Sequence, residues 1–392
     1  MHNNMKLSTA DKILIIGGHL TPALAVLEEL EARGYYNFLW VGVKHSQTSA
    51  RNLSAEYQLI TSKNIPFISF KAGKLWRKWT VKTFFMAIYN LLLIPWGIVH
   101  ALFILLQHRP KLVLSFGGYL AFPIVFAAWL LKIKSATHEQ SLAMGLANQR
   151  IANYANKILL AWQENLEQLP KKLRKKAIVT GNPVRKSLLT VTTNQYNFNN
   201  TDKIIFVTGG NQGANTINKR LFTILPELLQ ETNVIHQVGN SSITRDLKKA
   251  KQVWEKLPKN LQKKYVYFDN NFTNEFSEIM HKADLIVSRS GANTVTDIMS
   301  LGKRAVLIPI PWSANDEQQK NALLVAGTGL GYILEQYDEM PASQIKQAIE
   351  YGLDIVNRGQ DFKGRNFTIA LKEAKEKVQP DAALNIVKVI TA

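Results

Sequence analysis

Short runs of consecutive apolar residues recur along this chain, and a turn rich in glycine follows several of them. The first run, residues 12–16, ends at Gly17-Gly18-His19, after which apolar residues spaced as on one helix face continue to Gly34. Another apolar run covers residues 38–43. Runs of this length are typical of strands buried on both faces of a parallel sheet. The order of strand, glycine turn, helix and strand predicts a βαβ unit of a doubly wound sheet.

The same order recurs further along the chain. Residues 111–116 precede Gly117-Gly118-Tyr119 and a helix predicted over 123–131. Residues 203–208 precede a glycine-rich turn and a helix that begins at Asn215. Further strands are predicted over 234–239, 283–287 and 305–308. The whole chain therefore reads as α/β.

One stretch breaks this order and divides the chain. Residues 188–202 are rich in Thr and Asn and poor in aliphatic side chains, which is typical of an interdomain linker. We therefore predict two doubly wound, Rossmann-like domains over residues 1–187 and 203–371. A C-terminal helix within residues 372–392 is expected to pack back onto the first domain.

The most specific chemistry lies in Ser288-Arg289-Ser290-Gly291-Ala292-Asn293-Thr294, between a predicted strand and a helix that stops at Gly302. A helix that begins directly after a strand directs its free N–H groups and its positive dipole end at one point. An anionic group such as a diphosphate is the natural guest there. Asp297, one turn into the helix, lies within reach of a sugar hydroxyl beside that group.

A second polar turn, residues 315–322, opens another helix soon afterwards. Its side-chain amides include Gln318, Gln319 and Asn321, and amides suit the recognition of hydroxyl groups. Two polar strand-to-helix turns so close in the chain predict a pocket for a nucleotide sugar.

Composition narrows the choice of partner. The 392 residues carry a net charge of +19 and no cysteine, which excludes disulfides and thiolate metal sites. The eight histidines show no metal-ligand spacing, so no metal is expected. The charge favours an anionic partner, but no helix-turn-helix, RRM or KH signature supports nucleic acid. An anionic membrane surface is the preferred partner. No signal peptide is visible, so the chain is expected in the cytoplasm.

The segment from residue 71 to 109 begins basic and then becomes apolar. Its basic residues are Lys71, Lys74, Arg77, Lys78 and Lys82, and residues 84–106 are long and apolar enough to span a bilayer. A span would split one sheet between two sides of a membrane. We therefore prefer a surface-lying amphipathic segment, with a buried core helix and a true span as alternatives. Pro95 further suggests two shorter helices.

Eight motifs, in the same order, resemble those of the MurG family of glycosyltransferases, over residues 12 to 340. They are Gly17-Gly18-His19-Leu20-Thr21-Pro22-Ala23-Leu24-Ala25, Gly73-Lys74-Leu75, Ser115-Phe116-Gly117-Gly118-Tyr119, His138-Glu139-Gln140, Thr180-Gly181-Asn182-Pro183-Val184-Arg185, Gly209-Gly210-Asn211-Gln212-Gly213-Ala214, Ser288-Arg289-Ser290-Gly291-Ala292, and Gln318 to Ala322. The resemblance implies the GT-B fold, two such domains facing a cleft. It implies transfer of N-acetylglucosamine from UDP-N-acetylglucosamine to the muramyl 4-hydroxyl of lipid I, with inversion and without a cofactor or bound metal.

The resemblance also implies roles for individual residues. His19 would be the catalytic base, in keeping with the proton affinity of imidazole. Backbone groups at Phe272 and Thr273 would bracket uracil, and Asp297 would hold ribose. The diphosphate would meet Arg185, Gly210, Asn211, Gln212, Ala292 and Thr294, and the sugar hydroxyls would meet Gln318, Gln319 and Asn321. The acceptor side would comprise Gly18, Gly117, Gly118, Tyr119, His138, Glu139 and Ser141.

Some residues have a structural alternative, and some depart from the family. His19 could cap its helix, Arg185 could form a linker ion pair, and His138 and Glu139 could hydrogen-bond within a loop. A Gly-Gly-Thr segment that the family carries before Gly17 is missing here. Asp297 replaces Glu, Asn211 replaces Ser, and Ser141 replaces Asn. The donor is therefore better supported than the acceptor.

These observations give one preferred function and two rivals. The preferred function is a MurG-type transferase, peripheral on the cytoplasmic face of the cell membrane, that makes lipid II. The rivals are a UDP-sugar transferase acting on another glycolipid, and a nucleotide-sugar-binding membrane scaffold without turnover.

Overall fold

A computed structural model of the chain describes residues 6–46, 49–73, 84–198, 201–210, 213–239, 241, 243–269 and 275–392. The chain divides into two compact units, one comprising Met1–Arg185 and Asp381–Ala392, the other Lys186–Pro380. The first unit thus ends at Arg185, where the sequence predicts a domain end at residue 187. Of the predicted C-terminal segment, only Asp381–Ala392 joins the first unit.

The first unit is built on a parallel sheet. Its described strands are β1 (Ile13–Ile16), β2 (Phe38–Gly42), β3 (His45–Ser46), β4 (Ser49–Leu53), β5 (Phe67–Ser69), β6 (Leu112–Ser115), β7 (Lys134–Glu139), β8 (Lys157–Leu160) and β9 (Ala177–Val179). Seven of them pair in the order β5-β2-β1-β6-β7-β8-β9, all parallel, while β3 and β4 form a separate antiparallel pair. The order reverses at β1, so the carboxyl ends of β1 and β6 flank a topological switch point, where open α/β sheets bind ligands.

Helices cover both faces of this sheet. They are α1 (Leu20–Glu31), α2 (Ala55–Ser62), α3 (Phe84–His108), α4 (Ala121–Leu130), α5 (Leu146–Tyr154), α6 (Gln163–Gln168) and α7 (Lys171–Arg174). Ile13 and Ile15 pack in one buried cluster with residues of α1, and Leu14 and Ile16 pack in another with residues of α3 and α4. Side chains alternate between the faces of a strand, so a fully apolar run such as β1 fits only where both faces are covered.

The prediction that Pro95 splits its segment is wrong, because α3 runs unbroken for 25 residues through Pro95. A proline removes one backbone hydrogen bond of a helix, and packing outweighs that loss here. Ala101, Ile104 and Leu105 of α3 lie in the core. By length and composition alone, Ile88–His108 could cross a membrane, but α3 is the crossover between β5 and β6 of one sheet.

The second unit repeats the architecture. Its strands are β10 (Lys203–Thr208), β11 (Thr232–Gln237), β12 (Tyr265–Phe268), β13 (Leu285–Ser288), β14 (Ala305–Leu307) and β15 (Gly331–Ile333), in the parallel order β12-β11-β10-β13-β14-β15. Its helices are α8 (Lys186–Leu189), α9 (Asn215–Glu231), α10 (Asp246–Lys256), α11 (Lys259–Gln262), α12 (Glu275–Lys282), α13 (Ala292–Leu301), α14 (Glu317–Thr328), α15 (Ala342–Asn357) and α16 (Phe367–Lys377), with a 3₁₀ turn at Ala314–Asp316. The order reverses at β10, which places a second switch point between β10 and β13.

The C-terminal helix and the predicted linker each pack on a helix of their own unit. The final helix, α17 (Ala382–Thr391), packs on α1, and the Leu7 N–H donates to the Thr391 carbonyl at 3.3 Å. The start of the predicted linker lies on α12 of the second unit. There the buried Glu278 carboxylate accepts hydrogen bonds from Thr193 Oγ1, from the Gln195 N–H and from the Tyr196 N–H at 2.7–2.9 Å.

Candidate active site

In the first unit, two glycine turns meet at the carboxyl edge of the sheet. Ile16 pairs in register with Ser115, so the turns that follow β1 and β6 lie side by side. A Cβ on Gly18 would lie 2.0 Å from the Gly117 carbonyl oxygen, so only glycine permits this approach. Gly117 and Gly118 adopt φ angles of 76° and 81°, which glycine tolerates best. The two turns of the predicted acceptor site therefore form one surface at the switch point.

His19 is the N-cap residue of α1, and its side chain makes no capping hydrogen bond, which leaves the imidazole available. His19 keeps access to solvent. Desolvation by the protein around the imidazole lowers its pKa from 6.5 to about 4. The imidazole is therefore neutral at pH 7 and has a nitrogen free to take a proton.

His138 and Glu139 end β7 and are both buried. His138 Nε2 donates to the Gly181 carbonyl at 3.0 Å, and burial lowers the pKa of His138 to about 4 against the effect of that hydrogen bond. The Glu139 carboxylate accepts from the backbone N–H groups of Ser141 and Gly145 at 3.0 and 2.9 Å. These two side chains thus hold the loops after β7 and β9.

Ser141 and Tyr119 complete the acceptor set. Ser141 is buried, and its carbonyl accepts from Asn165 Nδ2 at 3.0 Å. Tyr119 is half-buried in the turn after β6. Burial raises the pKa of the Tyr119 hydroxyl, and the charge of Glu56 raises it further. Tyr119 is therefore a neutral hydrogen-bonding group at neutral pH.

Glu56, in the first turn of α2, belongs to this edge of the sheet although sequence reasoning missed it. Its carboxylate accepts from Trp40 Nε1 at 2.8 Å and from the Val43 N–H at 3.3 Å. A Cβ on Gly17 would lie 2.1 Å from Glu56 Oε1, so the carboxyl group is the floor of the turn before His19. Burial raises the pKa of Glu56. The sequence signal for Glu56 was Gly17, because a glycine at a turn indicates a close neighbour, although it does not identify that neighbour.

In the second unit, two strand-to-helix turns also lie side by side. Thr208 pairs in register with Ser288, which aligns the turn after β10 with the turn after β13. Thr208 Oγ1 accepts from the Gly210 N–H at 2.9 Å, and Gly210 has a φ of 76°. A Cβ placed on Gly210 or on Gly291 would meet nothing within 4 Å. Both turns therefore border open space at helix N-termini, the geometry that suits a diphosphate.

Hydrogen bonds tie the turn after β13 to the start of α14. Ser290 Oγ donates to the Gln318 carbonyl at 2.7 Å, and Asn321 Nδ2 donates to the Ser290 carbonyl at 3.0 Å. Gln318 Oε1 accepts from the Ile310 N–H at 3.1 Å. Gln319 is half-buried, and its side chain has no hydrogen-bond partner among the described residues. The turn after β13 and the polar turn at the start of α14, both identified in the sequence, are therefore joined by hydrogen bonds.

On α13, the predicted donor residues follow the N-cap Gly291. Ala292 and Asp297 are buried, and Thr294 is half-buried. Asp297 lies about 1.7 turns along α13 from Gly291.

Unmet polar groups gather at the same edge. Within the described ranges, Ser288 Oγ, Arg289 Nε and Asn321 Oδ1 are buried without a hydrogen-bond partner. Asn315 and Asp316 both adopt a φ of 54°, which is strained for residues other than glycine. Buried polar atoms are normally paired, and strained backbone tends to cluster at binding sites. Both features favour a polar ligand here.

Several predicted residues are not placed by these contacts. Asn211, Gln212, Phe272 and Thr273 lie outside the described residues. Arg185 is the last residue of the first unit before α8. In the described part of the chain, no group of three His, Asp or Glu side chains is arranged to hold a metal ion.

Comparison with known proteins gives this geometry a class. Residues 16–160 match the glycosyltransferase family 28 N-terminal domain, and residues 204–376 match the family 28 C-terminal domain. A crystal structure of MurG from Acinetobacter baumannii superposes with a TM-score of 0.64 at 24% identity, over 97% of this chain and 99% of that one. Two parallel-sheet domains of family 28 define a glycosyltransferase of the GT-B class.

Curated relatives identify the family. The UDP-N-acetylglucosamine–N-acetylmuramyl-(pentapeptide) pyrophosphoryl-undecaprenol N-acetylglucosamine transferase of Treponema denticola is 30% identical over 349 residues, 86% of each chain. The enzyme of that name from Clostridium botulinum is 28% identical over 382 residues, 93% of this chain and 99% of its own. The chain belongs to this family of N-acetylglucosamine transferases, the MurG family.

Proposed function

We propose that the chain transfers N-acetylglucosamine from UDP-N-acetylglucosamine to the 4-hydroxyl of the muramyl group of lipid I, giving lipid II for peptidoglycan synthesis. The observation that carries this proposal is the register of Thr208 with Ser288, which puts two open helix N-termini side by side at a switch point. A diphosphate flanked by a nucleoside and a sugar fits such a pair of turns.

The donor lies on the second unit. The turn at Gly210 and the backbone N–H group of Ala292 face the diphosphate, with Asn211, Gln212, Thr294 and Arg185 contributing further donors. Asp297 binds the ribose, and backbone groups at Phe272 and Thr273 bracket the uracil. The hydroxyls of the sugar meet Gln319, Gln318 and Asn321, of which Gln319 has hydrogen-bonding capacity not used by the described residues.

Transfer uses the first unit as the acceptor side. The neutral His19 takes the proton of the acceptor hydroxyl while that oxygen attacks the anomeric carbon. The bond from the anomeric carbon to the diphosphate oxygen breaks, and UDP leaves with the electron pair. Amide donors and the positive dipole end of α13 stabilise the charge that develops on the leaving diphosphate. Attack opposite the leaving group inverts the anomeric carbon.

The acceptor approaches the paired turns of the first unit. Gly18, Gly117 and Gly118 let backbone groups come close to it, and Tyr119 offers a neutral hydroxyl. His138, Glu139 and Ser141 act by holding the neighbouring loop in place.

The enzyme works at the cytoplasmic face of the membrane, docked through α3. Leu92, Trp96 and Phe103 are exposed by 67%, 62% and 62%, on the side of the helix opposite its buried face. A cavity beside the end of α3 combines the apolar Leu105 and Leu106 with basic residues, which are Lys6, Arg109, Lys111, Lys132 and Lys134. An apolar stripe with basic flanks suits an anionic leaflet. Lys71 of the predicted basic cluster is exposed. The other members of that cluster, Lys74, Arg77, Lys78 and Lys82, lie outside the described residues.

Calorimetry with UDP and with UDP-N-acetylglucosamine tests the donor site. Asp297→Ala should weaken both ligands, because ribose is common to them. Gln319→Ala should weaken UDP-N-acetylglucosamine about 2- to 10-fold and UDP much less, because its partner is on the sugar. Gln347→Ala, an exposed glutamine on α15, is the matched control and should bind as wild type. Unchanged affinity in both site variants would contradict the assignment.

A further inference from the structure

A buried chain of hydrogen bonds runs behind the turn after β10. Its members are Tyr265 on β12, His236 on β11, Asn218 on α9 and Asp246 at the start of α10, all buried. His236 Nδ1 lies 3.0 Å from Tyr265 Oη, and His236 Nε2 lies 3.0 Å from Asn218 Oδ1. Asn218 Nδ2 donates to the Val238 carbonyl at 2.9 Å and to Asp246 Oδ2 at 3.0 Å.

The geometry fixes where each proton lies. Asn218 Nδ2 is already a donor to two acceptors, so Asn218 Oδ1 must accept from a proton on His236 Nε2. His236 Nδ1 is then an acceptor, and the Tyr265 hydroxyl donates to it. Burial keeps His236 neutral, since it lowers the pKa to about 3. Every member of this chain of hydrogen bonds is paired, so the four side chains have a single arrangement and are held rigidly.

This chain of hydrogen bonds ends on the elements that carry the proposed diphosphate site. Asn215, the first residue of α9, donates from Nδ2 to both Asp246 oxygens at 2.7 and 2.9 Å. A Cβ on Gly213 would lie 2.1 Å from the Val238 carbonyl oxygen, the same oxygen that Asn218 holds. The first turn of α9 and the glycine turn before it are therefore clamped to the end of β11 from behind.

We propose that Asn218, with His236 and Asp246 behind it, is a positioning residue for donor binding. It acts by fixing the direction of the α9 N-terminus and the turn at Gly210 and Gly213, and it does not touch the ligand. This inference rests on the proposed function, because it assumes that a nucleoside diphosphate binds at that turn. If the N-terminus of α9 points in another direction, its N–H groups no longer face the diphosphate, and the affinity for the ligand falls.

The test measures the dissociation constant of UDP and the KM and kcat of transfer in four variants. Asn218→Leu removes the central member, and Asn215→Ala removes only the contact at the start of α9. Both should weaken UDP about fivefold or more and raise the donor KM, while kcat at saturating donor stays near wild type. Tyr265→Phe removes the far end and should change UDP affinity less than twofold.

Thr232→Val is the matched control. Thr232 is buried at the other end of β11, where its Oγ1 donates to the Leu228 carbonyl at 2.7 Å, far along the strand from the turns. It should lower thermal stability and leave UDP affinity unchanged. If Asn218→Leu fails to fold, Asn215→Ala still decides, since its side chain is only half-buried. Wild-type affinity in Asn215→Ala and in any folded Asn218 variant would overturn the inference. Absence of UDP binding by the wild-type protein would overturn the proposed function itself.

Discussion

His19 illustrates how position creates chemistry at the scale of one residue. An N-cap position usually uses the side chain to satisfy the first N–H groups of its helix. His19 makes no such bond, so the imidazole at the start of α1 is left for another role. Its lowered pKa keeps it neutral at physiological pH. Both properties are what a general base requires.

His19→Ala should lower kcat about 10²–10⁴-fold, because the acceptor hydroxyl loses its base, and should leave UDP affinity at the wild-type value. The acid limb of the wild-type pH–rate profile should lie below 6.5, because only protonation of the lowered-pKa imidazole removes the base. Initial rates between pH 4 and 8 check this. Full turnover by the variant would return His19 to a structural role.

Local patterns reveal some of these residues and hide others. Gly18, His19 and Gly117 follow apolar runs, so the sequence could place them at a sheet edge. Glu56 could not be found this way, because its contact with Gly17 joins α2 to the end of β1. Such a contact depends on how the chain folds back, and no local pattern encodes it.

At the scale of elements, α3 shows what an apolar pattern does and does not predict. The pattern located the segment, but it could not separate the face that packs on the sheet from the face left exposed. Both faces are apolar, so the distinction exists only in the packing of Ile104 and Leu105 against the core. The prediction that Pro95 divides the segment was wrong because the sequence does not show the packing that outweighs the lost hydrogen bond.

Liposome flotation tests the exposed face of α3. Wild-type protein should float with anionic vesicles, less at high salt, because charge attraction is screened and apolar contact is not. The double variant Trp96→Glu/Phe103→Glu should lose binding, since each charge would enter the bilayer interface. Trp312→Glu in the second unit, at a residue exposed by 69%, is the control and should bind normally. Equal flotation of all three proteins would contradict docking through α3.

Glu278 gives α12 a pH-dependent role. Burial raises the pKa of Glu278, but Lys282 and the donors at Thr193, Gln195 and Tyr196 outweigh that effect and lower it to about 2. A lowered pKa means that the contribution to stability is complete above 4.5 and is lost as pH falls through about 2.

In urea unfolding at pH 6, Glu278→Ala should cost about 3–5 kcal/mol, because it breaks a buried charged network. The difference from wild type should shrink as pH falls towards 2. Glu255→Gln, an exposed glutamate on α10, should match wild type throughout. A cost for Glu278→Ala that does not vary with pH would mean that its charge is not what holds the segment.

At the scale of the whole molecule, the sequence predicted two doubly wound α/β domains, and the fold and family confirm this. Repeated strand–turn–helix order was sufficient, because it is local and recurs. The sequence could not show that the start of the linker lies on α12, since that position depends on the buried carboxylate of Glu278. The residue roles remain predictions, with the base proposed on one unit and the donor turns on the other.

The most direct test of this account is transfer itself. The protein is incubated with labelled UDP-N-acetylglucosamine and lipid I, and the lipid products are separated and counted. We predict labelled lipid II, one UDP released for each sugar transferred, and loss of both in His19→Ala. Binding of UDP-N-acetylglucosamine without label in lipid II would contradict the account. Label on a different glycolipid alone would contradict the proposed acceptor.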